Sequence, residues 1–309
     1  MITSYRQMIS DIQELLNFLN ALGIDASLKS HLENDYLEAT IFVENYEAGN
    51  HSLLTDQGRS ALGGLHELFK WLWSIKDSES FNILVPHLRM MAESAIRINS
   101  KTPMINPVTG KQDDSTNKLI ETIVAMFAIK VGSEVDLDDP INSSGGENPD
   151  IIFKHSGDRI AIACKTIRGT SSSALLDNFK SAAKQIERAD CDYGYVAINA
   201  MNILPHQKIE ANVYSDLFVP FNLVTQDIVE LLESLKVDAK AELIEIFNNS
   251  KVRPVILTFI HSNTRLTSPI GHMSTMIKST FATELIPDDY TGRDMELLSL
   301  VNEFIHNRL

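Results

Sequence analysis

Apolar residues recur at intervals of three and four along the first hundred residues of the chain. The first stripe consists of Met8, Ile12, Leu15, Leu16, Leu19 and Leu22. It predicts an amphipathic helix from about Ser4 to Leu22 that ends at Gly23. Two similar stripes follow, at Leu62, Leu65, Phe69, Leu72 and Trp73, and at Leu84, Leu88, Met91, Ala95 and Ile98. Residues 1–100 are therefore predicted to form a helical N-terminal region, in which 28–46 fits either a helix or a strand.

Residues 101–114 interrupt this pattern. They contain Pro103, Pro107 and Gly110 among polar residues, which is typical of a linker or an exposed loop. We therefore predict a domain boundary there and a second domain at residues 115–309.

This second domain is predicted to open with a helix that Ser115 or Thr116 caps and that ends near Gly132. Its predicted buried side carries Leu119, Ile120, Ile123, Val124, Phe127 and Ala128.

After this helix the spacing of apolar residues changes from a period of 3.6 residues to a period of two, which indicates strands. Residues 133–137 are predicted to be the first strand, and 151–154 and 159–165 form a hairpin around the polar turn 155–158. If Lys154 pairs with Arg159, the register places Asp150 opposite Ala163. Side chains alternate along a strand, so Asp150, Ala163 and Lys165 are expected on one face. The other face is expected to be core and carries Ile160, Ile162 and Cys164.

The remaining elements follow the same reasoning. A helix is predicted at 174–189 and a buried strand at 193–198. Further on, helices are predicted at 228–235, 241–247 and 295–305, and a strand at 255–260. His261, Arg265 and His272 follow that strand and are predicted to lie in a polar surface loop. The order strand, hairpin, helix, strand is typical of an α/β fold with a mixed sheet.

The hairpin carries Pro149-Asp150 at the head of one strand and Lys165 on the next. This arrangement resembles the PD-(D/E)xK nuclease superfamily, and the resemblance covers roughly residues 115–200. It implies an α/β, restriction-endonuclease-like mixed sheet flanked by helices, behind the N-terminal helical region. It also implies a metal-dependent endonuclease that hydrolyses DNA phosphodiester bonds. Restriction or defence against phage are the settings that the family suggests.

The same resemblance implies roles for individual residues. Asp150, Glu121 and the backbone carbonyl of Cys164 would bind Mg²⁺ or Mn²⁺, which take oxygen ligands. Lys165 would position or deprotonate the attacking water, and Gln185 would contact the water or the substrate. For Glu121 the residues themselves also allow a plain surface carboxylate near a helix start, where the helix dipole favours it.

Position 163, where the superfamily has a second carboxylate, is occupied by Ala163. One account is that the native residue is Glu and that this chain is an inactivated form. A second is that the carboxylate comes from elsewhere, and a third is that the protein is a pseudonuclease that only binds. A fourth is that the hairpin is an ordinary one. With Ala163, the chain is expected to bind metal poorly and to cleave slowly or not at all.

Charge is distributed unevenly in this chain of net charge −14, a value that argues against general affinity for nucleic acids. Residues 131–150 contain six acidic residues and no Lys or Arg, whereas residues 151–189 contain seven Lys or Arg against three acidic residues. Within the basic stretch, Lys180, Lys184 and Arg188 recur every four residues. We predict that these three residues and Arg168 contact DNA phosphates; a mixed solvated surface is the alternative.

The expected cellular compartment follows from features that the sequence lacks. It has two cysteines, no apolar run approaching 18 residues and no cleavable leader pattern at its start. We therefore expect a cytoplasmic protein without membrane association. The expected partner is DNA, with a homodimer or a partner subunit of a defence complex as its assembly. The rival functions are a catalytically inactive nuclease fold that binds nucleic acid or a protein, and an interaction domain without phosphate affinity.

Overall fold

The computed structural model of the protein describes residues 3–26, 30–92, 118–140, 147–248, 250–269, 271–286 and 291–309. The predicted linker 101–114 and the predicted caps Ser115 and Thr116 lie outside these ranges. Within them, no helix has both the length and the apolar character that crossing a lipid bilayer requires.

The first part of the chain is helical, as predicted. Its helices are α1 (Tyr5–Ala21), α2 (His31–Glu47), α3 (Asp56–Ile75), α4 (Val85–Ala92) and α5 (Leu119–Val131). The ambiguous stretch 28–46 is therefore mainly helix α2. The hydroxyl groups of Ser4, Ser30 and Thr55 cap α1, α2 and α3 by accepting backbone N–H groups of the first turn. Gly23 follows α1 with a φ of +70°.

The described ranges contain one mixed sheet of seven strands, with helices on both sides. Its strands are β1 (Ser133–Leu137), β2 (Ile151–His155), β3 (Asp158–Thr166), β4 (Tyr193–Asn199), β5 (Val213–Tyr214), β6 (Val252–Ser268) and β7 (Gly271–Glu284). The spatial order is β1-β2-β3-β4-β6-β5, and β7 pairs with β6. The strands β1, β2 and β3 are antiparallel, whereas β3, β4 and β6 run parallel. The predicted α/β mixed sheet flanked by helices is confirmed.

Helix α6 (Ser172–Arg188) makes the crossover from β3 to β4. It packs close to the sheet at Gly194, where an added Cβ would lie 2.6 Å from Cγ2 of Ile186 and 2.7 Å from the carbonyl oxygen of Ala161. Only glycine allows this approach. The other helices after the crossover are α7 (His206–Glu210), α8 (Phe218–Asp238), α9 (Lys240–Phe247) and α10 (Gly292–Ile305).

The central strands β3, β4 and β6 are mainly buried and have a core on each face of the sheet. On one face, a core runs from Ile12 in α1 through α3 and α5 to Ile305 in α10, and includes Ile160, Ile162 and Cys164. On the other face, α6, α8 and α9 cover a second core that includes Ala161 and Ala163. The N-terminal helices therefore share a core with the strands.

The strand β6 is longer than predicted, because it continues to Ser268 and turns back as β7. The prediction that His261, Arg265 and His272 lie in a surface loop is wrong. His261 and Arg265 are in β6, His272 is in β7, and the side chain of His261 is completely buried. The polar residues after Ile260 hid the apolar alternation that marks a strand, although two of them, Thr264 and Thr267, are of a type that suits strands.

The strand β7 lies at an edge of the sheet. Thr280 in its middle donates its N–H to Oδ1 of Asn302 at 2.9 Å and accepts a hydrogen bond from Nδ2 of the same residue at 2.6 Å. The Asn302 amide, on α10, thus pairs with the edge as a backbone amide would. Because unpaired edges invite association with other chains, this contact protects the strand.

Candidate active site

The hairpin β2–β3 sets the geometry of the candidate site. Lys154 pairs with Arg159 and Ile152 with Ala161, so the predicted register is confirmed. The turn is tighter than predicted and consists of Ser156 and Gly157, whose φ angles are 52° and 94°. Two positive φ angles are typical of the turn that best fits the twist of a two-residue hairpin. Extended by one residue beyond Ile151, the register places Asp150 opposite Ala163.

Asp150 is held at the head of β2 by backbone contacts. Its Oδ2 accepts a hydrogen bond of 2.6 Å from the N–H of Cys164, and its carbonyl oxygen accepts one of 3.0 Å from the N–H of Asp138. In an antiparallel pair the N–H and C=O of one residue point to the same side of the strand. The carbonyl of Cys164 therefore points to the side where Asp150 lies.

Glu121 approaches the same point from helix α5. Only 7% of Glu121 is exposed, so the alternative of a surface carboxylate is wrong. Burial raises the pKa of Glu121 well above its usual value, and the charge of Asp150 raises it further. Two carboxyl groups that lie close together in a poorly hydrated place resist ionising together.

Lys118, at the N-terminus of α5, joins the two carboxylates. Its Nζ lies 2.6 Å from Oε2 of Glu121 and 3.7 Å from Oδ1 of Asp150. Burial opposes the charge of Lys118, but Glu121 and then Asp150 outweigh that effect and raise the pKa of the ammonium group. Sequence reasoning missed this residue. The available signal was its position three residues before Glu121, the spacing of a helical ion pair.

Lys165 and Gln185 form a second pair on the α6 side of β3. Nζ of Lys165 donates a hydrogen bond of 2.6 Å to Oε1 of Gln185. Gln185 is buried on α6, and Lys165 is half-buried at the end of β3. The structure therefore brings Lys165 and Gln185 together beside Cys164, which contacts Asp150.

Ala163 directly precedes Cys164 and Lys165 along the strand and is fully buried in the second core. It has no polar side-chain atom, so the site has two carboxylates. In the part of the chain that the structure describes, no group of three or more His, Cys, Asp or Glu side chains is arranged to hold a metal ion.

The donor atoms that are present nevertheless suit a hard divalent cation. Mg²⁺ is usually bound through one or two carboxylates, with water completing its shell. Glu121 and Asp150 supply two carboxylates, and the Cys164 carbonyl faces the same side. A cation, the ammonium group of Lys118, already contacts both carboxylates. The residues therefore fit Mg²⁺ or Mn²⁺, with one carboxylate fewer than the superfamily pattern.

Cys164 and Cys191 are both buried and free of disulfides. Burial raises the pKa of the Cys164 thiol well above its usual value, and the charges of Asp150 and Glu121 add to this effect. A thiol in this environment stays protonated and is a poor nucleophile.

The predicted phosphate contacts lie mainly along α6. Lys180, Lys184 and Arg188 are exposed there, whereas Arg168 is half-buried after β3. Arg188 also lies 3.7 Å from Glu147 in an ion pair. Together with Arg159 it lines a cavity of about 450 Å³, whose other residues include Asp136, Asp138, Asp139 and Pro149. This cavity brings the acidic and basic stretches of the sequence face to face next to Asp150.

Comparison of the chain with models of protein families, with curated proteins and with solved structures found no match.

Proposed function

We propose that this protein is a metal-dependent endonuclease with a restriction-endonuclease-like core, and that Ala163 leaves the chain in an inactive form. One observation carries the proposal. The carboxylates of Glu121 and Asp150 meet beside Cys164, on the strand that carries Ala163 and Lys165. Two carboxylates from different secondary-structure elements suit hydrolysis of a phosphodiester, together with Lys165, which directly follows the Cys164 that bonds Asp150.

In the proposed site, Asp150, Glu121 and the Cys164 carbonyl would hold Mg²⁺ or Mn²⁺. When bound, such an ion neutralises charge on the scissile phosphate and makes a bound water more acidic. The N–H of Cys164 fixes the orientation of Asp150. Gln185 holds the ammonium group of Lys165, so that this group can orient the attacking water and interact with the charge that develops on phosphate oxygens. A glutamate at position 163 would add the missing oxygen donors.

Cleavage of plasmid and linear DNA in the presence of Mg²⁺ tests the proposal. The unchanged chain is expected to leave both substrates intact, and the Ala163→Glu variant is expected to cut them. A folded Ala163→Glu protein that binds DNA and cuts nothing would instead support the second candidate function.

That second candidate is a catalytically inactive nuclease fold that binds nucleic acid or a partner protein. The observation that favours it is the Lys118 ion pair with Glu121, because it places a positive charge beside the two acids without a metal ion. Restriction or phage defence, with a homodimer or a partner subunit, is the setting that the resemblance suggests for either candidate.

Binding to DNA is predicted to depend on the basic residues of α6. Replacing Lys180 and Lys184 together by Gln should weaken binding and make the slope of log K against log salt shallower by about two, since each phosphate contact contributes about −0.9. Fluorescence anisotropy with duplex DNA at several salt concentrations measures this slope.

The matched control replaces two exposed lysines elsewhere, Lys208 and Lys240, by Gln and so makes the same change in net charge. Equal losses in both double variants would mean that α6 is not the binding surface. Absence of salt-dependent binding in the unchanged chain would favour an interaction domain without phosphate affinity.

A further inference from the structure

The ammonium group of Lys118 contacts both carboxylates that the proposed site would use to bind a metal ion. It lies 2.6 Å from Glu121 and 3.7 Å from Asp150. The side chains of these two acids are 9% and 8% exposed, whereas that of Lys118 is 21% exposed. The lysine thus approaches two buried acids from the more hydrated side.

Two buried carboxylates without a positive charge would repel each other. Asp150 also contacts the N–H of Cys164, which bonds its other oxygen, Oδ2. Among the residues that the structure describes, Lys118 is the one positively charged group within 4 Å of both acids. A divalent cation at the same carboxylates would meet this positive charge at a few ångströms, where repulsion is strong in poorly hydrated surroundings.

We propose that Lys118 is a tethered substitute for the metal ion, and that its ammonium group must leave the carboxylates before a divalent cation binds. This inference rests on the proposed function, since it concerns the same two acids. It means that the chain holds its acids in place without metal. It also means that Lys118 sets the concentration of metal ion at which the site fills.

Binding of Mn²⁺ to the chain as it stands tests this without any need for catalysis. Electron paramagnetic resonance of free Mn²⁺ gives the dissociation constant. We expect Lys118→Met to bind Mn²⁺ at least about tenfold more tightly than the unchanged chain, because a charge within 4 Å of both acids has been removed. Lys118→Arg keeps the charge and should show no such gain.

Two results would overturn the inference. One is Mn²⁺ affinity in Lys118→Met that equals or falls below that of the unchanged chain. The other is absence of Mn²⁺ binding in all three proteins. Circular dichroism checks that each variant is folded, and Lys240→Met, at an exposed position far along the chain, controls for the lost charge.

Adding Lys118→Met to the Ala163→Glu protein separates this inference from the proposed function. If Ala163→Glu cuts DNA, adding Lys118→Met should lower the Mg²⁺ concentration for half-maximal cleavage about tenfold. If Ala163→Glu cuts nothing, the proposed endonuclease activity fails. The Mn²⁺ measurement then still decides whether Lys118 competes with a cation.

Discussion

Cleavage of DNA in the presence of Mg²⁺ is expected to rise about 10³-fold when Ala163 is replaced by Glu. Position 163 lies opposite Asp150 in the register of the hairpin, and the strand continues to Lys165. A third carboxylate there would complete the oxygen donors of the proposed site. A firmly bound ion can stabilise the transition state by several kcal/mol. Each factor of ten in rate requires about 1.4 kcal/mol, so this stabilisation corresponds to a rate increase of about 10³-fold.

Two variants make this result specific. Ala163→Gln has nearly the size of Ala163→Glu but no charge, so it should stay inactive if the carboxylate is what matters. Adding Lys165→Ala to Ala163→Glu should remove about 10²- to 10⁴-fold of the gained rate, the usual contribution of a general acid or base. Cleavage that persists without Lys165 would point to a contaminating nuclease or to a different site.

Loss of about 3–5 kcal/mol in the free energy of unfolding is expected for Glu67→Ala. Glu67 in α3 lies 2.6 Å from Nζ of Lys70 and 2.7 Å from Nζ of Lys278 in β7, and it also accepts a hydrogen bond from Asn307. It therefore joins the N-terminal helices to the edge of the sheet. Without it, the largely buried Lys278 loses the carboxylate that balances its charge and keeps only a hydrogen bond to the carbonyl oxygen of Ile305 among its described contacts, and a buried charge without a counter-charge is costly.

The pH dependence of stability should change in the same variant. Burial favours the protonated form of Glu67, but the charges of Lys278 and Lys70 outweigh this and lower its pKa from 4.5 to about 2. A lowered pKa means that the stabilisation is present above pH 4.5 and is lost as the pH falls towards 2. The unchanged protein should thus lose about 3 kcal/mol across this window that Glu67→Ala does not lose.

Urea unfolding at pH 7 and at lower pH, followed by circular dichroism, measures both effects. Glu67→Ala combined with Lys278→Met is the control, because it removes both charges and should recover part of the lost stability. If the double variant is no more stable than Glu67→Ala, the loss in Glu67→Ala does not come from an unpaired charge on Lys278.

Elements with a strong local pattern were predicted well. The first helix, the first strand, the hairpin and the crossover helix lie within one or two residues of their predicted bounds. The strand β7 was missed because its alternation is carried by Ser and Thr as much as by apolar residues. The burial of β7 depends on two helices: α8, which lies more than thirty residues before it, and α10, which follows it in the sequence.

The sequence by itself determined the α/β order of elements and the register of the hairpin, because these follow from the spacing of residues close together in the chain. Its resemblance to a nuclease superfamily is what singled out Asp150 and Lys165 as candidates. Only the tertiary structure decided that Glu121 is buried, that Lys118 contacts it and Asp150, and that Lys165 bonds to Gln185. These contacts join α5, the head of β2, and α6. Burial and charge pairing arise only when such elements pack, so no local pattern encodes them.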